Sequence, residues 1–446
     1  MNENLLEICN HIVKLGTKLG ADEIECFSAT QKSIDAAIEG NELKISTRDE
    51  SSGIGIRIFR NHSLGFAATN RVSRERAEEA LRAAIALSRN APPDIHNGLP
   101  NPGKYVFVPG VYDEEIAEMN ESEVIEKASR MLVAAKGIDE RVSVDNGRFE
   151  ISVGYKAISN SSGIEMDEQF TAMYYDIGAH AIENGKISSM DYRFDGVRSL
   201  GEDTSEELAI ELAELVVESL SARKIESFIG PVIISPFAAL DLLLLPILFS
   251  VDSNNVQKGI SRFVNKKGEQ VASTVLSIRD DGTLPEGLSS SAFDREGVPH
   301  RPINILDNGR LKNFLYDAYT ANKEGIESTG HASGGTRTVP SIDSTNIRVR
   351  RGSRTLEGMI SSINRGLLIQ RFSGNVDPVS GDFSGIAKAG KRIDNGAIQG
   401  VVRETMISGN AYDLLARLRE LSHETIKIAD LKLPYFLSDE ISITGV

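Results

Sequence analysis

Cys9 and Cys26 are the two cysteines of a 446-residue chain. They are too few for a disulfide framework or a four-cysteine zinc site. Both sit in apolar surroundings and read as small buried hydrophobes, which fits a reducing compartment. Excess basic charge is also missing, since the formal net charge is −15. Binding nucleic acid needs clustered lysine and arginine to displace counterions from phosphates. The arginines at 348, 350, 351 and 354 are local and read as a solvated strand end. A bilayer crossing takes about 20 apolar residues. The run Leu242–Phe249 is shorter, contains a proline, and has Asp241 and Asp252 at its edges. The opening MNENLLEICNHIVKLG mixes charge with apolar residues at helical spacing, unlike a signal peptide. A cytoplasmic protein with no membrane contact and no direct nucleic-acid contact is expected.

What is present reads as an ordinary globular composition, 40% hydrophobic and 25% charged, long enough for two or three domains. Residues 3–19 carry a helical apolar stripe. The alternating segments ADEIECFSAT, SIDAAIEGN, GIGIRIFRN and LGFAATN follow, divided by turn signals at Glu39-Gly40-Asn41 and Asn61-His62. A helix, RERAEEALRAAIALSRN, closes this unit near residue 90, and a proline-rich linker runs from 91 to 110. The pattern of helix, strands and helix then repeats over 111–225. From residue 226 to 446 the texture is glycine-rich, with short strands. Asp307-Asn308-Gly309 and Asp394-Asn395-Gly396 mark tight hairpin turns. A last helix over 411–421 and a final pair of strands in LPYFLSDEISITGV complete the expectation. The fold class is α+β: two small helix-flanked antiparallel sheet units, then a larger, mostly antiparallel β C-terminal domain.

PVIISPFAALDLLLLPILFSVDSNNVQKG is a strand entering a helix that is apolar on nearly all sides. Ser235 and Pro236 suit its cap and first position, and Pro246 ends or kinks it. The seven histidines include no pair at i, i+4 with an intervening glutamate, so no zincin-type site can be read. His11 and His180 read as structural, and His423 as a cap on the last helix. His331, in STGHASGG, is the best placed, because glycines and hydroxyls there could bring backbone N–H groups to a ligand. Asp280, Asp281, Asp294 and Glu296 form a carboxylate cluster, read either as turn formers or as ligands for a hard cation.

VASTVLSIRDDGT, FDREGVPHRPINILDNGRLKNFLYD, STGHASGG, GNVDPVSGDFSG and IDNGAIQGVVRETMISGN follow one another in one order. In this the sequence from about 230 to 446 resembles the TldD/PmbA proteins, once called modulators of DNA gyrase and now grouped as metallopeptidases. The resemblance implies a cytosolic two-subunit peptidase with a catalytic TldD-type subunit and a TldE-type (PmbA) partner lacking the metal site. The catalytic type carries HExxxH upstream of a Lys-Gly pair, matched here by Lys258-Gly259. Its His, Glu and His fall at Leu244, Leu245 and Phe249, and no cysteine follows Cys26 to match its remaining ligand. The implied role is that of a TldE-like subunit with no catalytic residue and no cofactor of its own. Zinc or another divalent metal is expected in the partner subunit. Partners would be a TldD-type chain or a second copy, with short or unfolded peptides as substrate. Ser328, Thr329, Gly330, His331, Asp377 and Asp382 are the candidates for lining the peptide cavity. Two alternatives stay open. One is a self-standing metal-dependent hydrolase using His331, His300 and the 280–296 carboxylates; the other is a non-enzymatic modulator that binds gyrase.

Overall fold

The structure is a computed structural model that describes residues 4–403 and 405–445. Its N-terminal half runs α1 (Leu5–Lys18), β1 (Glu23–Glu39), β2 (Glu42–Arg60), β3 (Ser63–Thr69) and α2 (Arg74–Ser88). After the linker come α3 (Glu114–Glu118), α4 (Glu121–Ile138), β4 (Val142–Asn160), β5 (Glu165–Glu183), β6 (Lys186–Ile187), β7 (Asp191–Val197) and α5 (Ser205–Glu218). The expected repeat of helix, strands and helix is there, but the two units share one sheet. Strand β1 pairs antiparallel with β2 on one side and with β4 on the other, from Glu25↔Asn160 to Glu39↔Asn146. The strand order is β3-β2-β1-β4-β5, with β6 and β7 both on β5.

Segments that read as separate strands are continuous, because no turn residue interrupts Thr30-Gln31-Lys32 and both neighbours supply partners there. Alternation gives the sheet two different faces. Ile24, Cys26, Ile54, Ile56 and Ile58 pack under α1 and α2, while Phe149, Ile151, Tyr175 and Ile177 pack under α4 and α5. Glu25, Phe27, Arg57 and Lys156 point the other way, toward the C-terminal half.

That half contains β8 (Phe228–Ile234), α6 (Pro236–Ala239), a π-helical turn (Leu240–Leu244), α7 (Leu245–Val251) and α8 (Ser253–Gln257). Then follow β9 (Ile278–Asp281), β10 (Pro302–Asp307), β11 (Arg310–Leu311), α9 (Ala318–Glu324), β12 (Ala332–Ser333), β13 (Ser341–Ile342), β14 (Ile347–Val349) and α10 (Leu356–Ser361). The chain ends with β15 (Arg365–Ile369), β16 (Arg371–Val376), β17 (Asp382–Lys388), β18 (Lys391–Asp394), β19 (Ala397–Val401), β20 (Met406–Asn410), α11 (Ala411–Ala416), β21 (Leu418–Ile428) and β22 (Leu431–Thr444). Most of these strands join one large sheet in which the pairs are antiparallel except β8–β15 and β14–β22. Asn308 and Gly309 (φ 49° and 72°), and Asn395 and Gly396 (φ 48° and 78°), make the two tight hairpins that their residue types require.

Three expectations are corrected here. The last helix stops at Ala416, because Leu418 and Leu421 reach the core from a strand, a bulge between Leu418 and Glu420 bringing both to one face. His423 therefore lies in β21, not at a helix end. Residues 433–444 of LPYFLSDEISITGV are not a strand pair but part of the single long strand β22, paired with β21 and β8; Val446 lies outside the described residues. The 91–110 segment, free of regular structure, is strapped to the seam between the halves. Leu99 N–H donates to Glu23 Oε2 at 2.6 Å, and the Tyr105 hydroxyl donates to the Gly297 carbonyl at 2.8 Å. No helix among the described residues is long and apolar enough to cross a membrane.

Candidate functional site

The helix beginning at Pro236 is capped by Ser235, whose Oγ accepts from Ala238 N–H. Pro246 supplies no N–H, and the turn before it is π-helical, with Leu245 N–H reaching back to the Leu240 carbonyl. The chain thus runs on through the proline to Val251 instead of ending there. Around this helix packs the largest core cluster, including Ile234, Phe263, Ile305, Phe314 and Phe436.

Leu244 joins that core at 3% exposure, but Leu245 is 44% exposed and Phe249 is half-buried. The three positions that match the metal motif therefore do not fill one pocket together. Positions five apart on an α-helix lie about 140° apart in projection, so 244 and 249 do not share a face. None of the three side chains carries a donor atom. Among the described residues there is also no group of three or more His, Cys, Asp or Glu able to hold a metal ion. The donor set of this helix therefore does not fit a hydrolytic metal.

Ser328–His331 lie in the seam between the halves. The loop that continues from them rests on the N-terminal sheet at two glycines. A Cβ on Gly55 would come within 2.4 Å of the Thr336 carbonyl oxygen, and one on Gly53 within 2.2 Å of the Thr336 hydroxyl. The glycines that make this contact are thus in β2. His331 is 2% exposed, with both ring nitrogens engaged: Nδ1 lies 2.9 Å from Thr329 Oγ1 and Nε2 3.4 Å from Asp280 Oδ2. Thr345 bonds Asp280 through both its N–H and its hydroxyl. The order carboxylate, imidazole, hydroxyl resembles a hydrolytic triad. Thr329 Oγ1, however, accepts from Tyr316 N–H and donates to the Tyr316 carbonyl, and it is buried. The array fastens this loop to the 316 segment and offers no free nucleophile.

Of the carboxylates, Asp280, Asp294 and Glu296 are buried while Asp281 is half-buried; Asp281 and Asp294 form turns, each accepting the N–H two residues on, whereas Asp280 and Glu296 bond distant partners. Arg57 donates from Nη2 to Glu25 Oε2 at 2.7 Å, and its Nη1 lies 2.7 Å from Glu296 Oε1. Arg295 Nη1 donates to the other Glu25 oxygen at 3.0 Å, and its guanidinium lies 3.9 Å above the Phe27 ring. Glu25 and Arg57 belong to the N-terminal sheet, Arg295 and Glu296 to the C-terminal half. Burial opposes the Glu25 charge, but Arg57 and Arg295 outweigh it and hold its carboxyl below the ordinary value. Burial pushes Asp294 up, and the Glu296 charge adds to the push. Backbone N–H groups of Glu296, Val298 and Ala332 point at Asp294 and fold the loop around it. Glu296, with Arg295 beside it and Glu25 and Arg57 opposite, locks the two halves together, while Asp280 and Asp294 fasten loops within the C-terminal half.

Beside this lock opens a cleft of about 370 Å³, walled by both halves. Lys156 Nζ donates to Ser291 Oγ at 2.6 Å, and that hydroxyl lies 2.6 Å from Glu168 Oε2. Lys156 also pairs with Glu168 at 3.2 Å; burial lowers the pKa of its ammonium and the Glu168 carboxylate pulls the other way, while the serine is occupied as a bridge. Arg198 is bonded to carbonyls of Val111, Thr171, Leu288 and Ser290. His300 lines the cleft too, and burial, then Lys156, bring its imidazole down to about 3, so it is neutral at physiological pH. His331 stands on the cleft wall, whereas Ser328 faces a neighbouring cavity of about 440 Å³ under the linker. Asp377 and Asp382 are elsewhere, exposed at the turn between β16 and β17. Tyr412 ties that turn to the helix, bonding the Pro378 carbonyl and the Ser250 hydroxyl. The six candidates thus divide between two places. Lys156, Glu168, Arg198, Glu25 and Arg57 were missed. For Glu25 and Arg57 the signal was charge at strand positions flanked by buried Ile24, Cys26, Ile56 and Ile58; Lys156, Glu168 and Arg198 carried no comparable local signal.

Residues 229–445 match the PmbA/TldA metallopeptidase C-terminal domain, and residues 25–88 match domain 1 of the same family. The metalloprotease PmbA of Escherichia coli is 26% identical over 95% of this chain and 93% of its own length. An uncharacterized protein of Methanocaldococcus jannaschii is 28% identical over 90% of this chain and 92% of its own. The crystal structure of TldE from Thermococcus kodakarensis superposes with a TM-score of 0.90 at 26% identity, covering 98% of this chain and 100% of that one. With the matched domains spanning more than half of its length, the chain belongs to the PmbA/TldD metallopeptidase family.

Proposed function

We propose that this chain is the TldE-type subunit of a cytosolic peptidase and contributes no metal site. In this reading it pairs with a TldD-type chain, and together they enclose the space where short or unfolded peptides are cut. The observation that carries the reading is chemical: leucine, leucine and phenylalanine stand where the catalytic type has His, Glu and His. The likeness to a TldE structure supports it. So do the exposed apolar side chains of Leu245 on that helix, Ile260 just beyond it, and Val379 in the turn that Tyr412 ties to it. A surface of this kind is what a partner covers. Hydrolysis would then depend on a divalent metal held by the partner subunit, while this chain shapes the enclosure and holds extended peptide.

The test is reconstitution. A TldD-type chain from the same genome, co-expressed with this one, is expected to co-purify with it, and peptide cleavage is expected with the pair. The isolated chain is expected to cleave nothing, with or without added zinc. Metal-dependent cleavage by the isolated chain would overturn the proposal.

A further inference from the structure

We infer that the outer face of the C-terminal sheet binds acidic, extended polypeptide segments through a row of cations crossing four strands. The row follows from register. Arg279 lies opposite Arg348 across β9 and β14, Arg348 opposite Lys432 across β14 and β22, and Lys432 opposite Lys427 across β22 and β21. Directly paired residues on neighbouring strands project from the same face. Ile278, Asp280, Ile347, Val349 and Leu433 fill the inner face, so the row belongs to the outer one.

Like charges set directly opposite each other destabilise a sheet. Salt bridges form at the ends of the row: Asp281 pairs with Arg279 at 3.1 Å, and Glu202 with Lys427 at 2.6 Å. Arg350, beside Arg348, is bonded to the Asn308 amide oxygen instead of a carboxylate. Asp430, Asp281 and Glu202 lie in the field of Arg348, yet among the described residues no salt bridge reaches Arg348 or Lys432. Arg348 Nη1 is moreover buried without a hydrogen-bond partner. In a chain of net charge −15, this is a local concentration of cations, with Arg279 and Lys432 exposed and Arg348 and Lys427 half-buried.

A shallow groove of about 300 Å³ accompanies the arginine end of the row, lined in part by Arg279, Arg348, Arg350, Asn304 and Asp307, the last of these lying 3.8 Å from Lys312. Three interstrand spacings of about 4.8 Å make the row about 14 Å long, the length of roughly four extended residues. Alternate side chains of such a segment would present carboxylates to arginine forks, a strong and directional pairing. Single-stranded nucleic acid is the weaker match, since no aromatic side chain lines the groove to stack a base. The inference concerns this chain alone and does not rest on its pairing with a peptidase.

The experiment is fluorescence anisotropy on the isolated full chain with fluorescein-labelled hexaglutamate, hexaglutamine and hexathymidylate. Hexaglutamate is expected to bind, more weakly as salt is raised, and hexaglutamine not to bind. The double variant Arg348→Glu, Lys432→Glu is expected to weaken binding about tenfold or more. Lys14→Glu, on the exposed side of α1, is expected to leave it unchanged. If the double variant melts early, Lys432→Gln at an exposed position reads the same direction with a smaller loss. Absence of hexaglutamate binding, equal loss with Lys14→Glu, or tighter binding of hexathymidylate would each overturn the inference.

Discussion

His300 shows how burial turns a titratable residue into a pH liability. Its native imidazole protonates only near pH 3, whereas an unfolded histidine does so near its ordinary value of about 6.5. Between those values the unfolded chain holds a proton that the native state refuses. The contribution is therefore fully present above about pH 6.5 and is lost as pH falls toward 3. From pH 7 to pH 5 this residue should remove about 2 kcal/mol of stability. Urea unfolding at the two pH values should show that loss shrinking by this amount in His300→Gln. At the helix, burial again sets the outcome. Leu244→His should cost about 2–4 kcal/mol, while Leu245→Glu should stay within about 0.5 kcal/mol, both measured by denaturant melts. The buried charges were illegible for a simple reason. Glu25, Arg57 and Lys156 alternate with apolar residues, and a single sequence reads such positions as the wet side of a strand. Only the docking of a second layer shows that side to be dry.

Single elements were most legible where local chemistry decides them. Asn-Gly turns, the Ser235-Pro236 helix start and the buried helix after it could all be read, because caps and φ preferences act within a few residues. The helix over 411–421 and the divided β1 were misread because distant pairing overrides local pattern: Leu418 finds Ser438, and Lys32 finds both Glu50 and Val153. Two glycines separate local from tertiary demands. At Gly55 in β2 a side chain would strike the Thr336 backbone, so Gly55→Ala should cost about 1–3 kcal/mol. Nothing lies within 4 Å of a Cβ built at Gly137 in α4, so Gly137→Ala should stabilise by about 0.5–1 kcal/mol. Urea titration of both variants checks the contrast.

At the scale of the molecule, the α+β class and the helix-flanked units were legible from periodicity, and their fusion into one sheet was not. No pattern in residues 23–39 announces which strand will lie on its second side. The same holds for the ion network between the halves, whose members come from positions 25, 57, 295 and 296. Arg57→Met leaves Glu25 with Arg295 as its one remaining partner in the network and strips Glu296 of its cation. It should cost about 3–5 kcal/mol, more than a surface pair would, and calorimetry should register the drop.

The pairing of β1 with β4 also constrains how the chain is made. Ribosomal synthesis delivers β1 long before residue 146, so its long edge waits, unpaired, for more than a hundred further residues. An exposed strand edge of that length is a template for the wrong neighbour. A fragment truncated within the linker should therefore precipitate or self-associate during expression, while one extended through α5 should come out soluble.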